Sequence, residues 1–312
     1  MSGKQTPVGP QLPLPLTGAK SRMPVDLAKA VGAELTGGTF SWDEEDVILY
    51  NLAVGAGDPP DDPAELAYAY EAALRAVPTF GTIPPFAIMM SLGGVHGLEL
   101  DLTKVLHGDQ TLTVHAPIPT SGTVTQSGRV LDVYDKGKGA LVVLEIVSTL
   151  EKTGDPLFTN SSGVYVRGEG GFGGDPGPAP GNSAPEREPD VVVESKTLPQ
   201  QALLYRMASG DKNPLHADPG LAAFAGFERP ILHGLCTYGI VCKAVVDHAL
   251  GGDPNRVATY TARFSGHVFP GETLVTNIWA ETDRHIVSAT TKERRSTVLT
   301  NAAITPRNEA LL

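Results

Sequence analysis

Apolar and polar residues alternate through four successive stretches of the first half of the chain: Gln110–Ala116, Thr123–Tyr134, Ala140–Glu151 and Leu157–Arg167. The same two-residue period returns in the second half at Val257–Phe264, Thr273–Glu281, Ile286–Lys292 and Val298–Thr305. This alternation predicts half-buried strands. Turn residues separate them, as in Pro119-Thr120-Ser121-Gly122 and Lys136-Gly137-Lys138-Gly139. Ahead of each set the period changes. Leu235, Gly239, Cys242, Val246 and Ala249 recur at helical spacing, and Leu232, Ile240 and Val245 widen the stripe. A helix so apolar is buried. It opens at Arg229-Pro230-Ile231-Leu232-His233-Gly234 and ends at Gly251-Gly252. The corresponding apolar stretch of the first half, Phe86–Met90, is interrupted by Pro84-Pro85 and Gly93-Gly94, which bend or shorten a helix. Upstream, Val25–Ala33 predicts a short amphipathic helix. Ser41-Trp42 caps a helix with the acidic first turn Asp43-Glu44-Glu45-Asp46, running to about Val54. Glu65–Arg75 is ambiguous between helix and strand. Phe269-Pro270-Gly271-Glu272-Thr273 echoes Ile118-Pro119-Thr120-Ser121-Gly122-Thr123, each ahead of a strand, so the plan is a weak internal repeat.

Length and composition sharpen this plan. The 312 residues leave room for one large or two small domains. The boundaries read as a flexible Pro/Gly/Lys-rich extension over 1–22, with Met23 an alternative start, a first half over 23–167, a Gly/Pro-rich linker over 168–190 and a second half over 191–312. Gly168-Glu169-Gly170-Gly171-Phe172-Gly173 matches a dinucleotide fingerprint in letters only. Asp175-Pro176-Gly177-Pro178 follows it and cannot form the helix that would hold a pyrophosphate. The net charge of -11 argues against a nucleic-acid partner and offers no basic membrane stripe. No apolar run approaches the roughly 20 residues of a membrane helix. Cys236 and Cys242 suit core packing better than a disulfide framework. Asn308-Glu309-Ala310-Leu311-Leu312 carries no Ser-Lys-Leu address, and a cytoplasmic home is expected.

The candidate chemistry is concentrated in Ser209-Gly210-Asp211-Lys212-Asn213-Pro214-Leu215-His216. Gly210 and Pro214 force a bend, and Pro214 keeps Asn213 out of the helical region. Asp211 and His216 can then converge, and a carboxylate beside an imidazole is an acid/base pair for neutral pH. An Asx turn, with Asp211 and Asn213 bonding local backbone, is the plainer alternative. Asp218-Pro219 opens a short helix through Leu221, Ala222 and Phe224 that stops at Gly226. Gly234 then lies in the first turn of the buried helix, where amide N–H groups lack intrahelical partners and suit a developing oxyanion. Together these groups suit a carbonyl-activated substrate. His96, His115, His248, His267 and His285 show no metal-ligand spacing, and no metal is expected.

Gly210-Asp211-Lys212-Asn213-Pro214-Leu215-His216, Ala217-Asp218-Pro219 and Arg229-Pro230-Ile231-Leu232-His233-Gly234 together resemble the hydratase 2 motif of the MaoC-like, (R)-specific enoyl-CoA hydratases. Tyr70-Glu71, Pro78-Thr79-Phe80-Gly81, Lys104-Val105-Leu106-His107-Gly108 and Asp135-Lys136-Gly137 resemble landmarks of the two-domain members. The resemblance implies an α+β double hotdog, with two curved antiparallel sheets each wrapping a central helix in pseudo-symmetric halves. The first half, lacking the motif, would accommodate the acyl chain. The implied reaction is the reversible hydration of trans-2-enoyl-CoA to (3R)-3-hydroxyacyl-CoA, a hydro-lyase activity of acyl-chain metabolism. Asp211 and His216 would activate water, Asn213 would orient the water or the Asp–His pair, and the Gly234 amide would bind the thioester oxygen. By the same resemblance His107, Gly108, Lys136, Lys212, Pro214, Leu215 and Phe264 would contact substrate, with Glu71 and His233 in support. Taken alone, Lys136 reads as an exposed hairpin turn and Phe264 as core, while Glu71 is equally a structural residue and His233 a brace for the helix start. No cofactor is implied, since coenzyme A belongs to the substrate, and a homodimer is the family expectation. A hotdog thioesterase and a non-catalytic acyl-CoA-binding protein are the competing readings.

Overall fold

The computed structural model describes residues 25–101, 104–179 and 181–307. The expectations for residues 1–22, for Met23 as a start and for the last five residues lie outside these. The first half contains α1 (Leu27–Ala30), β1 (Glu34–Trp42), α2 (Glu44–Ala53), α3 (Pro63–Ala69), α4 (Phe86–Met89), β2 (Val105–Val114), β3 (Gly122–Asp135), β4 (Gly139–Leu150) and β5 (Pro156–Arg167). The second contains β6 (Val191–Lys196), α5 (Gln201–Ser209), α6 (Pro219–Phe224), α7 (Gly234–Ala249), β7 (Val257–Phe264), β8 (Thr273–Ala280), β9 (His285–Thr291) and β10 (Thr297–Pro306). The strands form one antiparallel sheet in the order β1-β3-β4-β5-β2-β7-β10-β9-β8-β6. Read inward from either edge, the two halves have the same order, so β6 to β10 repeat β1 to β5. This is the double hotdog that the resemblance implies. The halves meet where β2 pairs with β7, from Asp109 opposite Arg263 to Thr113 opposite Thr259. Among the described residues no helix is long and apolar enough to cross a membrane.

All eight alternating stretches are strands, and two strands carry no such signal. β1 contains Gly37-Gly38, residues that disfavour a regular strand. The pair instead forms a bulge against β3, where a Cβ on Gly37 would lie 2.6 Å from the Gln126 carbonyl oxygen. β6 is a six-residue edge strand paired with β8 alone. At its edge position the burial pattern comes from its neighbours. The cap of α2 also differs from expectation. Asp43 accepts from the Glu45 and Asp46 N–H groups, and the Asp46 carboxylate accepts from the Asp43 N–H, a reciprocal capping box. α1 spans only four residues, and α7 starts at Gly234, after the extended Arg229–His233 segment.

α7 is the core of the second half. Cys236 through Val246 are all buried. Tyr238 stacks on Tyr260 with ring centroids 3.9 Å apart and donates to its carbonyl oxygen at 2.6 Å. The charge of Lys243 is matched in the interior by Glu65 on α3 at 2.6 Å and Asp247 at 2.7 Å, which ties the helix to the first half. The corresponding segment of the first half is broken into a 3-10 turn at Pro78–Thr82, the single turn α4 and another 3-10 turn at Met90–Gly94. Pro84 and Pro85 supply no N–H for a continuous helix. The Gly-rich linker is docked rather than loose: the Gly137, Gly171 and Gly173 N–H groups all donate to the Asp135 carboxylate at 2.8 Å.

α7 crosses α2 at Gly239, where an added Cβ would lie 2.5 Å from Val54 Cγ1 and 3.1 Å from its Cβ. The stiff, branched Val54 cannot swing away, so the clash outweighs the better helix propensity of alanine. Gly239→Ala should lower stability by about 1–3 kcal/mol. An unchanged or raised melting temperature would contradict this account of the crossing.

Candidate active site

Where the two halves meet, α7, the broken segment of the first half and the loop after α5 enclose a cavity of about 850 Å³. That is the size range of sites for extended organic ligands. Ile83, Phe86, Met89, Val164 and Phe264 give it an apolar wall. Asp211, His216 and His233 give it one polar corner.

The corner follows from local sequence. α5 ends at Gly210, whose φ of 72° is the left-handed region open to glycine. Asp211 Oδ1 accepts from the Asn213 N–H at 2.9 Å, and Asn213 Oδ1 accepts from the Leu215 N–H at 3.0 Å. The Asx turns of the plainer reading are therefore present, and they are what bends the chain. Asp211 keeps Oδ2 free of this turn. Pro214–His216 forms a 3-10 turn, and the His216 Nδ1–H donates to the Ile231 carbonyl oxygen at 2.8 Å. That bond fixes the tautomer and leaves Nε2 as the open atom. Asn213 is exposed, its carbonyl oxygen engaged and its amide NH₂ available.

His233 completes the corner. It is 2% exposed, and its ring stacks on His216 with centroids 3.7 Å apart at 26°. His233 Nε2 lies 3.9 Å from Asp211 Oδ2. One donor atom from each of Asp211, His216 and His233 falls within 4.8 Å of the other two, close enough to share one metal ion. The expectation of no metal considered other histidines and overlooked this trio, which only the fold assembles. Burial pushes the His216 imidazole below its ordinary value, against the pull of the Ile231 carbonyl and the Asp211 carboxylate. Burial and then the charge of His216 push His233 down to about 2. His216 is thus the imidazole that takes a proton first.

His233 is also the residue before α7 and gives the helix no side-chain cap. Among the described residues no hydrogen bond engages the Gly234 N–H. It stands at the positive end of a 16-residue helix, facing the cavity. A Cβ on Gly234 would come 3.2 Å from the Phe264 ring, so glycine keeps this entrance open.

Other expected contacts divide. His107, Lys212, Pro214, Leu215 and Phe264 line the cavity. The His107 and Phe264 rings lie 4.8 Å apart across the β2–β7 seam. The apolar wall around His107 pushes its imidazole down to about 4. Lys136 is not part of the wall. Its ammonium donates to the Pro176 carbonyl and lies over the Tyr134 ring, because the docked linker runs beside the β3–β4 hairpin. Gly108 packs against the Gly163 carbonyl, and Glu71 is exposed in a 3-10 turn, both off the wall. Tyr205 and Thr82 line the cavity unforeseen. Nothing in their local sequence marks them.

Two outcomes follow. Gly234→Ala should fill the slot beside Phe264 and lower kcat/KM at least tenfold with little change in melting temperature; full activity would show the slot unused. His107, His216 and His233 hold protons less tightly folded than unfolded. The unfolded chain then binds more protons below the ordinary histidine value, so stability is full above about pH 6.5 and falls as pH drops toward about 4, where His107 charges in the folded state. The urea midpoint should fall between pH 7 and 4.5, and His107→Gln should flatten that slope. An identical slope in the variant would remove His107 as a cause.

Residues 40–168 match the MFE-2 hydratase 2 N-terminal domain, and residues 181–302 match the MaoC like domain. Enoyl-CoA hydratase ChsH3 of Mycobacterium tuberculosis is 46% identical over 279 residues, covering 89% of this chain and 97% of that one. The MaoC-like dehydratase from Phytophthora capsici superposes with a TM-score of 0.79 at 28% identity, over 91% of this chain and 100% of that one. The full-length peroxisomal multifunctional enzyme type 2 from Drosophila melanogaster gives 0.77 at 34% identity; the alignment covers 88% of this chain and 48% of that larger protein. A chain whose first half matches the MFE-2 hydratase 2 N-terminal domain and whose second half matches the MaoC like domain, and which aligns with an enoyl-CoA hydratase almost end to end, belongs to the MaoC-like enoyl-CoA hydratase 2 family.

Proposed function

We propose that this chain hydrates trans-2-enoyl-CoA to (3R)-3-hydroxyacyl-CoA through Asp211 and His216, with the Gly234 N–H as oxyanion donor. The observation that carries this is the convergence of an Asp–His pair and an unpartnered helix N-terminal N–H on one apolar cavity. A carbon–carbon double bond resists water unless its electrons have somewhere to go. The thioester carbonyl takes them up as an enolate, and a donor at its oxygen stabilises that charge. Asp211 Oδ2 and His216 Nε2 hold one water between them. One takes its proton as the oxygen bonds C3, and the other returns a proton to C2, so H and OH add across the bond. Asn213 Nδ2 orients the water or the Asp–His pair. The acyl chain extends along Phe86, Met89 and Val164, in the room opened by the broken segment. His107, Phe264, Lys212, Pro214 and Leu215 flank the thioester. Lys136 reaches a CoA phosphate only by leaving the Pro176 carbonyl, and Glu71 acts from outside the wall. No cofactor enters these steps, because CoA arrives with the substrate.

Two further expectations belong to this proposal. Exposed Leu203, Met207 and Phe224 offer apolar surface for a homodimer. A cytoplasmic home is supported by two core cysteines left as free thiols.

The test is hydration of short and long trans-2-enoyl-CoA with chiral analysis of the product. Asp211→Asn and His216→Ala should each lower kcat by about 10²–10⁴ while the fold stays intact. Near-wild-type turnover in either would remove that residue from the mechanism. Free CoA in place of 3-hydroxyacyl-CoA would make the chain a thioesterase, although Asp247, the one acid on α7, is paired with Lys243.

A further inference from the structure

Both ring nitrogens of His233 are buried and neither makes a hydrogen bond of normal geometry, although the Asp211 backbone carbonyl is near enough to raise its proton affinity. A neutral imidazole carries one N–H and one lone pair, and leaving both unmatched in an interior is destabilising. A phenylalanine would fill the same space against Tyr205, 5.0 Å away, and against His216 without that penalty. Packing alone therefore does not account for an imidazole here. One of them points at it: Nε2 stands 3.9 Å from Asp211 Oδ2, the oxygen left out of the Asx turn. Catalytic hydrogen bonds are often this long without substrate and tighten in the complex.

We propose that His233 is a positioning residue: in the substrate complex its Nε2–H closes onto Asp211 Oδ2, holding the carboxylate in place while its ring face supports His216. This rests on the reading of Asp211 and His216 as the acid/base pair. The groups facing His233 are Asp211, His216, Tyr205 and, through its charge, Arg206. Its own proton affinity is so reduced by burial and by His216 that it stays neutral whenever His216 is charged. It can therefore donate the same N–H in both halves of the reaction without joining the proton transfer. Its backbone leads directly into Gly234, so one residue sets the spacing of carboxylate, imidazole and oxyanion donor.

The test compares His233→Phe, which keeps the ring and loses the N–H, with His233→Gln, which restores a donor and loses the ring. Rates on trans-2-enoyl-CoA are measured across pH, alongside melting temperatures. His233→Phe should hold its melting temperature and KM, lose about 10²-fold in kcat, and move the acid limb of its kcat profile up by about one pH unit. His233→Gln should recover most of the kcat and the original limb. Wild-type kcat and limb in His233→Phe overturn the proposal. Equal losses in both variants with an unmoved limb also overturn it, because that is what a structural brace gives. Should His233→Phe fail to fold, ¹⁵N NMR of the wild-type imidazoles decides: adding the 3-hydroxyacyl-CoA product should shift the His233 Nε2–H resonance, and an unmoved resonance defeats the proposal. Asp211→Asn is the control. Activity surviving there defeats the Asp–His reading itself; with that control inactive, the His233 results bear on this proposal alone.

Discussion

The pairing of β2 with β7 is the constraint on which the rest depends. Five residue pairs, from Asp109–Arg263 to Thr113–Thr259, merge two half-sheets into one. The Thr111 and Thr261 hydroxyls meet across it at 3.0 Å. Without this seam His107 and Phe264 would belong to separate surfaces. With it their rings face each other, and the two central segments lie side by side beneath one continuous sheet. The cavity is the space left between them, because one segment is a full helix and the other is broken.

Much of this was legible in the chain because the signals are local. Alternation marks strands whose two faces see different surroundings, and all eight such stretches became strands. The helical stripe of α7 and the proline interruption opposite it were equally plain. Where reading failed, the deciding contact was distant. β1 carries no signal of its own, because its Gly37-Gly38 bulge is set by the distant Gln126 carbonyl, which leaves no space for a side chain. β6 has no pattern of its own and is a strand because β8 offers a free edge. Lys136 sits in a motif that suggested substrate, yet Pro176 of the linker, forty residues further along the chain, occupies its ammonium. Asp211 and His216 were visible as letters. The stacking of His233 on His216 brings together residues 17 positions apart, and only the folded Ile231 carbonyl, by orienting His216, makes it possible.

The electrostatics of the corner show a division of labour among like groups. Two imidazoles in contact cannot both be cationic in so little solvent. The less exposed one stays neutral and the other is free to change state. Elsewhere the same fold places a charge in its interior only with company: Lys243 lies between Glu65 and Asp247.

The two halves repeat one strand order, yet only one keeps an unbroken helix. Two identical subunits joined in the same way could not differ like this, because any proline that breaks one helix would break both. Such an assembly must keep two whole helices, or lose both together. Covalent continuity removes that bond between copies. Each half is then free to accumulate changes that the other would not survive, and a broken segment arises in one while the helix in the other stays whole.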